Sequence, residues 1–105
     1  MARMLERKGH LVLMADNAEE GIAVCRREKP DLVLMDVVLP GMNGFQATRT
    51  LTHDAETRNI PILIVSTKAQ ETDRVWGMRQ GAKAYVVKPV RESDLLEQID
   101  KLIGH

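Results

Sequence analysis

The sequence is poor in several things that other functions would require. Cysteine occurs once, at Cys25, in 105 residues, so no internal disulfide can form and a reducing, cytoplasmic setting is expected. Neither sign of charge is in excess: 15 Lys and Arg stand against 15 Asp and Glu, which leaves no basic footprint for nucleic acid or an anionic membrane. Phe, Trp and Tyr appear once each. No apolar run is long enough to span a bilayer, and Met1 to Lys8 carries charge where a signal peptide would carry an apolar core. Repeats, low-complexity stretches and Gly/Pro/Ser-rich linkers are absent too. One small domain remains, able to bury roughly two-thirds of the surface of its unfolded chain.

What is present is an alternation of strand and helix. Ala2 to Lys8 reads as the tail of a helix stopped by Gly9, and the apolar run Leu11 to Ala15 as a strand. Asn17 is placed to cap the next helix, with Glu20 three residues on as in a capping box, and Ala18, Ile22 and Cys25 recur at helical spacing up to Pro30. Leu32 to Met35 is an unbroken apolar strand ending at Asp36. After the turn-rich segment Leu39 to Gly44, the pattern predicts a helix over Phe45 to Leu51, a loop over Asp54 to Asn59 and a strand over Ile62 to Val65. A helix over Gln70 to Gln80, ended by Gly81, leads to the strand Ala84 to Val87 and a break at Lys88-Pro89. The last helix, Glu92 to Ile103, carries Leu95, Leu96, Ile99, Leu102 and Ile103 as its inner stripe. Strands apolar on both faces, joined by crossover helices, imply a doubly wound α/β fold with a parallel sheet.

In open parallel sheets, ligands bind outside the carboxyl ends of the strands. Asp36, Ser66 with Thr67, and Lys88 each stand at such an end, and Asp16 follows the first predicted strand. A carboxylate nucleophile, a hydroxyl and an ammonium on one edge suit an anionic phosphoryl group. Singly, each has an ordinary explanation: Asp commonly follows a strand as a turn residue, and Lys and Ser are commonly solvated. It is the combination that carries weight.

Three motifs then coincide. Asp36-Val-Val-Leu-Pro40-Gly-Met-Asn-Gly44, Ile60-Pro-Ile-Leu-Ile-Val-Ser66 and Gly81-Ala-Lys-Ala-Tyr-Val-Val-Lys-Pro89 resemble the receiver domains of two-component response regulators, over about Met4 to Ile103. Phe45-Gln-Ala-Thr, Asp54-Ala-Glu-Thr and Gln70-Glu-Thr-Asp-Arg-Val-Trp-Gly resemble, within that family, the stand-alone regulators of type IV pilus (twitching motility) signalling. The resemblance implies a flavodoxin-like (CheY-like) fold, with Asp36 as phosphoacceptor and Ser66 as switch hydroxyl. It further implies Lys88 as phosphate-binding cation before a cis Lys88-Pro89 bond, and Tyr85 as switch aromatic. For Tyr85 the alternative is half-buried packing with its hydroxyl at the surface. Trp76 is expected to pack, or to join the partner face formed by its helix, the Tyr85 strand and the last helix.

The sequence departs from the family at its start. Receivers open with an apolar strand and an acidic pair that, with the phosphoacceptor and a backbone carbonyl, hold Mg²⁺. Here Met1-Ala-Arg3 resembles the family's opening and Met4 to His10 the end of its first helix, as though a segment were excised between Arg3 and Met4. Asp36 and the Val38 carbonyl would be an incomplete Mg²⁺ set. The lost strand would be central in the order 2-1-3-4-5, leaving a slot of about 10 Å between the Leu11 and Leu32 strands. The Leu11 strand could move over and pair with the Leu32 strand, which would bring Asp16 beside Asp36 as a substitute acidic group. A second copy could cover the open edges as a homodimer, or the molecule could contain a segment that this sequence omits.

The leading functional expectation is a single-domain receiver over residues 1–105, phosphorylated on Asp36 by a histidine kinase or its phosphotransfer domain. Its output would be protein binding, with no nucleic-acid-binding unit. The alternative is a phosphorylation-incompetent receiver-like interaction or assembly domain. A hydrolase ranks third: His10, His53 and His105 lack metal-ligand spacing and fall at a strand start, a loop and the terminus. Gly41 and Gly44 suit a turn and a helix start rather than a phosphate cradle.

Overall fold

The computed structural model of the chain describes residues 6, 7, 9 and 14–103. Its helices are α1 (Ala18–Glu28), α2 (Gly44–His53), α3 (Glu71–Arg79) and α4 (Glu92–Ile103), and its strands β1 (Val33–Met35), β2 (Ile62–Ser66) and β3 (Ala84–Val87). The strands form one parallel sheet in the order β1-β2-β3, Met35 lying opposite Ile64 and Ser66 opposite Val87. Among the described residues no helix is long and apolar enough to cross a membrane.

Local sequence explains where these elements start and stop. Asn17, extended at φ −147°, accepts the Glu20 N–H on its side chain at 2.8 Å and so satisfies one of the free donors that begin α1. The expected reciprocal half of that box is different: the Glu20 carboxylate accepts the Asp16 N–H, at 3.4 Å. A complete capping box opens α2 instead, where Asn43 and Gln46 exchange bonds of 2.9 and 3.1 Å. α1 ends at Lys29, which turns left-handed at φ +48° and donates its N–H to the Cys25 carbonyl, just before Pro30.

The sheet is covered on both faces. All five residues of β2 are buried, and a strand sends alternate side chains to opposite sides. Ile62 and Ile64 pack with Ile22 and Cys25 of α1, Ala47 and Leu51 of α2, and Tyr85 of β3. Leu63 and Val65 pack with Leu95 and Ile99 of α4. Each such aliphatic side chain contributes about 1.5–3 kcal/mol by leaving water, so the shared middle strand joins two half-cores into one domain.

The doubly wound α/β reading holds, with one expectation outside the described residues. Of the strand predicted over Leu11 to Ala15, Leu11 to Leu13 lie outside them, and Met14 and Ala15 belong to no strand. Of the helix tail predicted over Ala2 to Lys8, Glu6 and Arg7 are described and helical; Gly9, also described, lies in a turn. Alternation of strand with helix is therefore seen three times among the described residues, where four had been expected.

Candidate functional site

β1 stops at Met35 and delivers Asp36 to the carboxyl edge of the sheet. Val37, only 3% exposed, pins the chain just beyond it, and the Val38 N–H turns back to donate to Asp36 Oδ1 at 3.2 Å. The start of α2 presses on the same backbone. Gly44 donates its N–H to the Val37 carbonyl at 2.9 Å, and a Cβ placed on Gly44 would overlap the Asp36 carbonyl oxygen. Glycine is needed there for close approach of two backbones.

β2 and β3 deliver the other groups. Ser66 closes β2 fully buried, its Oγ accepting the Lys68 N–H at 3.2 Å. Lys88 follows β3, donates its N–H to the Ser66 carbonyl at 2.8 Å, and brings Nζ to 2.9 Å from Asp36 Oδ2. The Lys88–Pro89 peptide is cis. Burial alone would raise the Asp36 pKa, but the Lys88 hydrogen bond, the Val38 N–H and the Lys88 charge outweigh it and hold the carboxyl below its ordinary value. Asp36 is thus an ionised carboxylate at neutral pH.

Tyr85 is buried, and its hydroxyl donates to the Lys68 carbonyl at 2.8 Å. The half-buried ring with a surface hydroxyl is therefore corrected: Gly77 of α3 lies against the ring and closes that side. Burial raises the Tyr85 pKa, the Ser66 hydroxyl opposes the rise, and the Asp73 and Asp36 carboxylates add to it. Trp76 is half exposed on the outside of α3, so it is a surface residue and not a core one. His53 ends α2, and Asp54 after it takes the Arg26 guanidinium at 2.8 Å.

The edge thus brings together Asp36 and Lys88, with Ser66 ending the strand between them. It does not bring Asp16 into a cation site. Asp16 is exposed, and among the described residues no group of three or more His, Cys, Asp or Glu could hold a metal. Two participants were missed by the sequence reading. The Lys68 carbonyl, which receives Tyr85, is a backbone atom and leaves no trace in residue type. The Asn43–Gln46 box, which starts α2 against Asp36, was readable as Asn-x-x-Gln.

Comparison with known proteins decides the family: the model of the response regulator receiver domain matches residues 1–100. The chain belongs to the response regulator receiver domain family. This receiver is 59% identical over 104 residues to Protein PilH of Pseudomonas aeruginosa, covering 99% of the chain and 86% of PilH. Its fold is similar to that of a CheY-like response regulator receiver domain protein from Methanospirillum hungatei, at 31% identity and a TM-score of 0.90 over 98% of this chain and 81% of that one. It is also similar to the receiver domain of the sensor histidine kinase PA1611 of Pseudomonas aeruginosa, at 27% identity and a TM-score of 0.90 over 99% and 85%.

The PA1611 domain was solved with a magnesium ion coordinated in its active site cleft. The described residues of this receiver do not fit that ion. Mg²⁺ demands near-octahedral oxygen ligands, one or two of them carboxylates with free oxygens and the rest waters or phosphate oxygens. Among the described residues no group of three or more His, Cys, Asp or Glu could hold a metal, and at Asp36 itself Oδ2 is taken by an ammonium and Oδ1 by a backbone N–H.

Proposed function

We propose that this receiver is a stand-alone phosphoacceptor of a two-component, chemotaxis-like system serving type IV pili and twitching motility. A histidine kinase or its phosphotransfer domain is the donor. The Asp36 carboxylate attacks phosphorus; the P–N bond to the donor imidazole breaks, an O–P bond forms, and the released nitrogen takes a proton from water. The carboxylate charge is lost in the acyl phosphate and negative charge appears on the phosphoryl oxygens. Lys88 then follows the charge, with the Ser66 hydroxyl as a second donor. The chemistry is the domain's own slow phosphotransfer and dephosphorylation, and the output is binding of a protein target.

The observation that carries this reading is the 2.9 Å pairing of Lys88 with Asp36 at the ends of two strands. Identity of 59% to PilH supports the placement in twitching motility. We take the chain as a single receiver unit over residues 1–105 with a segment lacking between Arg3 and Met4, a reading that rests on the motifs at its start; the match to PilH itself runs over 104 residues, 99% of this chain and 86% of PilH. Intact mass against the expected 11.8 kDa tests that point.

A second reading has its own observation. The want of a metal-holding acidic group among the described residues favours an interaction or assembly domain that is no longer phosphorylated. Incubation with acetyl phosphate, with and without Mg²⁺, followed by intact mass, separates the two. A single phosphoryl adduct that disappears in Asp36→Ala supports the phosphoacceptor. An unmodified chain under all conditions selects the assembly domain, for which a homodimer is the first form to look for.

A further inference from the structure

Phe45 and Trp76, the sole Phe and Trp of the chain, line one cleft of about 300 Å³ between α2 and α3, together with Asn43, Gln46, Arg49 and Gln80. α3 is built inside out for a helix lying on a sheet. Its one buried residue is Gly77, which lets the backbone rest on Ile64 and the Tyr85 ring. Its bulk points outward: Trp76 is 50% exposed, with Val75 and Met78 beside it at 42% and 43%. A surface helix ordinarily turns such side chains to the core, and exposed Trp is characteristic of interface anchors.

The polar lining has one sign. Arg49 is the only charged residue of the cleft, and it pairs with no carboxylate among the described residues. Asn43 and Gln46 have committed their side-chain oxygens to the capping box, which leaves their amide N–H groups as donors. Two aromatic surfaces, a guanidinium and amide donors call for an apolar side chain next to an acceptor of negative charge.

We propose that this cleft docks a short acidic segment of a partner protein. An aromatic or large aliphatic side chain sits between Phe45 and Trp76, and a neighbouring carboxylate meets Arg49. A cleft of this size takes one or two side chains, which fits a weak, reversible signalling contact rather than an obligate interface.

Panning a randomised peptide library against the full chain, then titrating the enriched sequences as synthetic peptides, tests this. The expected motif is an aromatic or aliphatic residue flanked by Asp or Glu. Affinity should fall about 10-fold or more in Trp76→Ala and about 2- to 5-fold in Arg49→Gln. Arg49 is exposed, so its variant keeps the fold and leaves the test readable should Trp76→Ala fail to fold. Enrichment of basic or uncharged sequences, or peptides that bind both variants as well as the parent, overturns the proposal. So does concentration-dependent self-association of the parent that is lost in Arg49→Gln, which would make a second copy the occupant.

Discussion

Lys88 Nζ sits 2.9 Å from Asp36 Oδ2 although β2 lies between the strands that deliver them. Two strand spacings are about 10 Å, so the contact depends on the long lysine stem crossing the end of β2, where Ser66 stands. The same residue is fixed at its backbone by the N–H bond to the Ser66 carbonyl. Both side chains remain 35% exposed, which leaves the pair partly screened by water and open to an incoming phosphoryl group.

Replacing Lys88 by Met should raise the Asp36 pKa, because burial, which pushes upward, would then face only backbone N–H groups. Carbon-detected NMR of the Asp36 carboxyl across a pH series measures it. A folded-state pKa below the unfolded value of about 3.9 means that Asp36 stabilises the fold above that pH, and that the contribution is lost as pH falls through the lower folded value. Acid unfolding of Lys88→Met should therefore show a weaker dependence on pH in that window. An unchanged Asp36 titration would show that the ion pair does not set its charge state.

Tyr85→Phe removes the donor to the Lys68 carbonyl while keeping the ring on Gly77. The expected loss is about 0.5–1.5 kcal/mol in urea unfolding. In the parent, burial leads the upward shift of the phenol, so tyrosinate absorbance should appear with a midpoint above the ordinary value of about 10. Since the folded pKa is raised, this stabilisation is full below the unfolded pKa and is lost as pH rises through the folded one. A midpoint at or below the ordinary value would mean that the ring is not packed as described.

Cys25 is 6% exposed on the inner face of α1, and burial raises its thiol pKa. Thiolate is the reactive form. Alkylation by iodoacetamide at neutral pH, followed by mass spectrometry, should be at least ~10-fold slower in the native chain than in urea. Equal rates would place α1 in frequent local opening.

Most of the architecture was legible because the fold advertises itself in periodicity. The unbroken run Ile62 to Val65 announced a strand buried on both faces, and the Leu95–Ile99 stripe announced a helix lying on it. Strand ends were legible for the same reason, which is why Asp36, Ser66 and Lys88 stand out in the sequence alone. What the sequence hid lies in atoms that residue type does not encode. The Lys68 carbonyl accepts Tyr85 through a loop conformation, and α3 shows little amphipathic pattern because its contact with the sheet is a glycine. Trp76, expected either to pack or to join a partner face, faces outward for that reason. Its neighbour Gly77, not the large residues, is what the helix buries.

Two glycines separate backbone obstruction from side-chain obstruction. A Cβ at position 44 would overlap the carbonyl of Asp36, which belongs to the loop that presents the carboxylate and cannot retreat without moving it. A Cβ at position 77 would meet the tip of Ile64 at 2.9 Å and the Tyr85 ring at 3.1 Å, side-chain atoms that can rotate or shift. Alanine at 77 also gains about 0.8–1 kcal/mol of helix propensity over glycine, while the overpacking costs about 1–3 kcal/mol. Gly77→Ala should therefore lie between neutral and about 2 kcal/mol less stable. Gly44→Ala should lose about 2–4 kcal/mol, and with it the Lys88–Asp36 contact, seen as a rise in the Asp36 pKa. Urea unfolding of both variants gives the order. If Gly77→Ala proves as costly as Gly44→Ala, the junction of α3 with Tyr85 is as rigid as the backbone contact at the phosphoacceptor, and Trp76 rides on a fixed helix rather than an adjustable one.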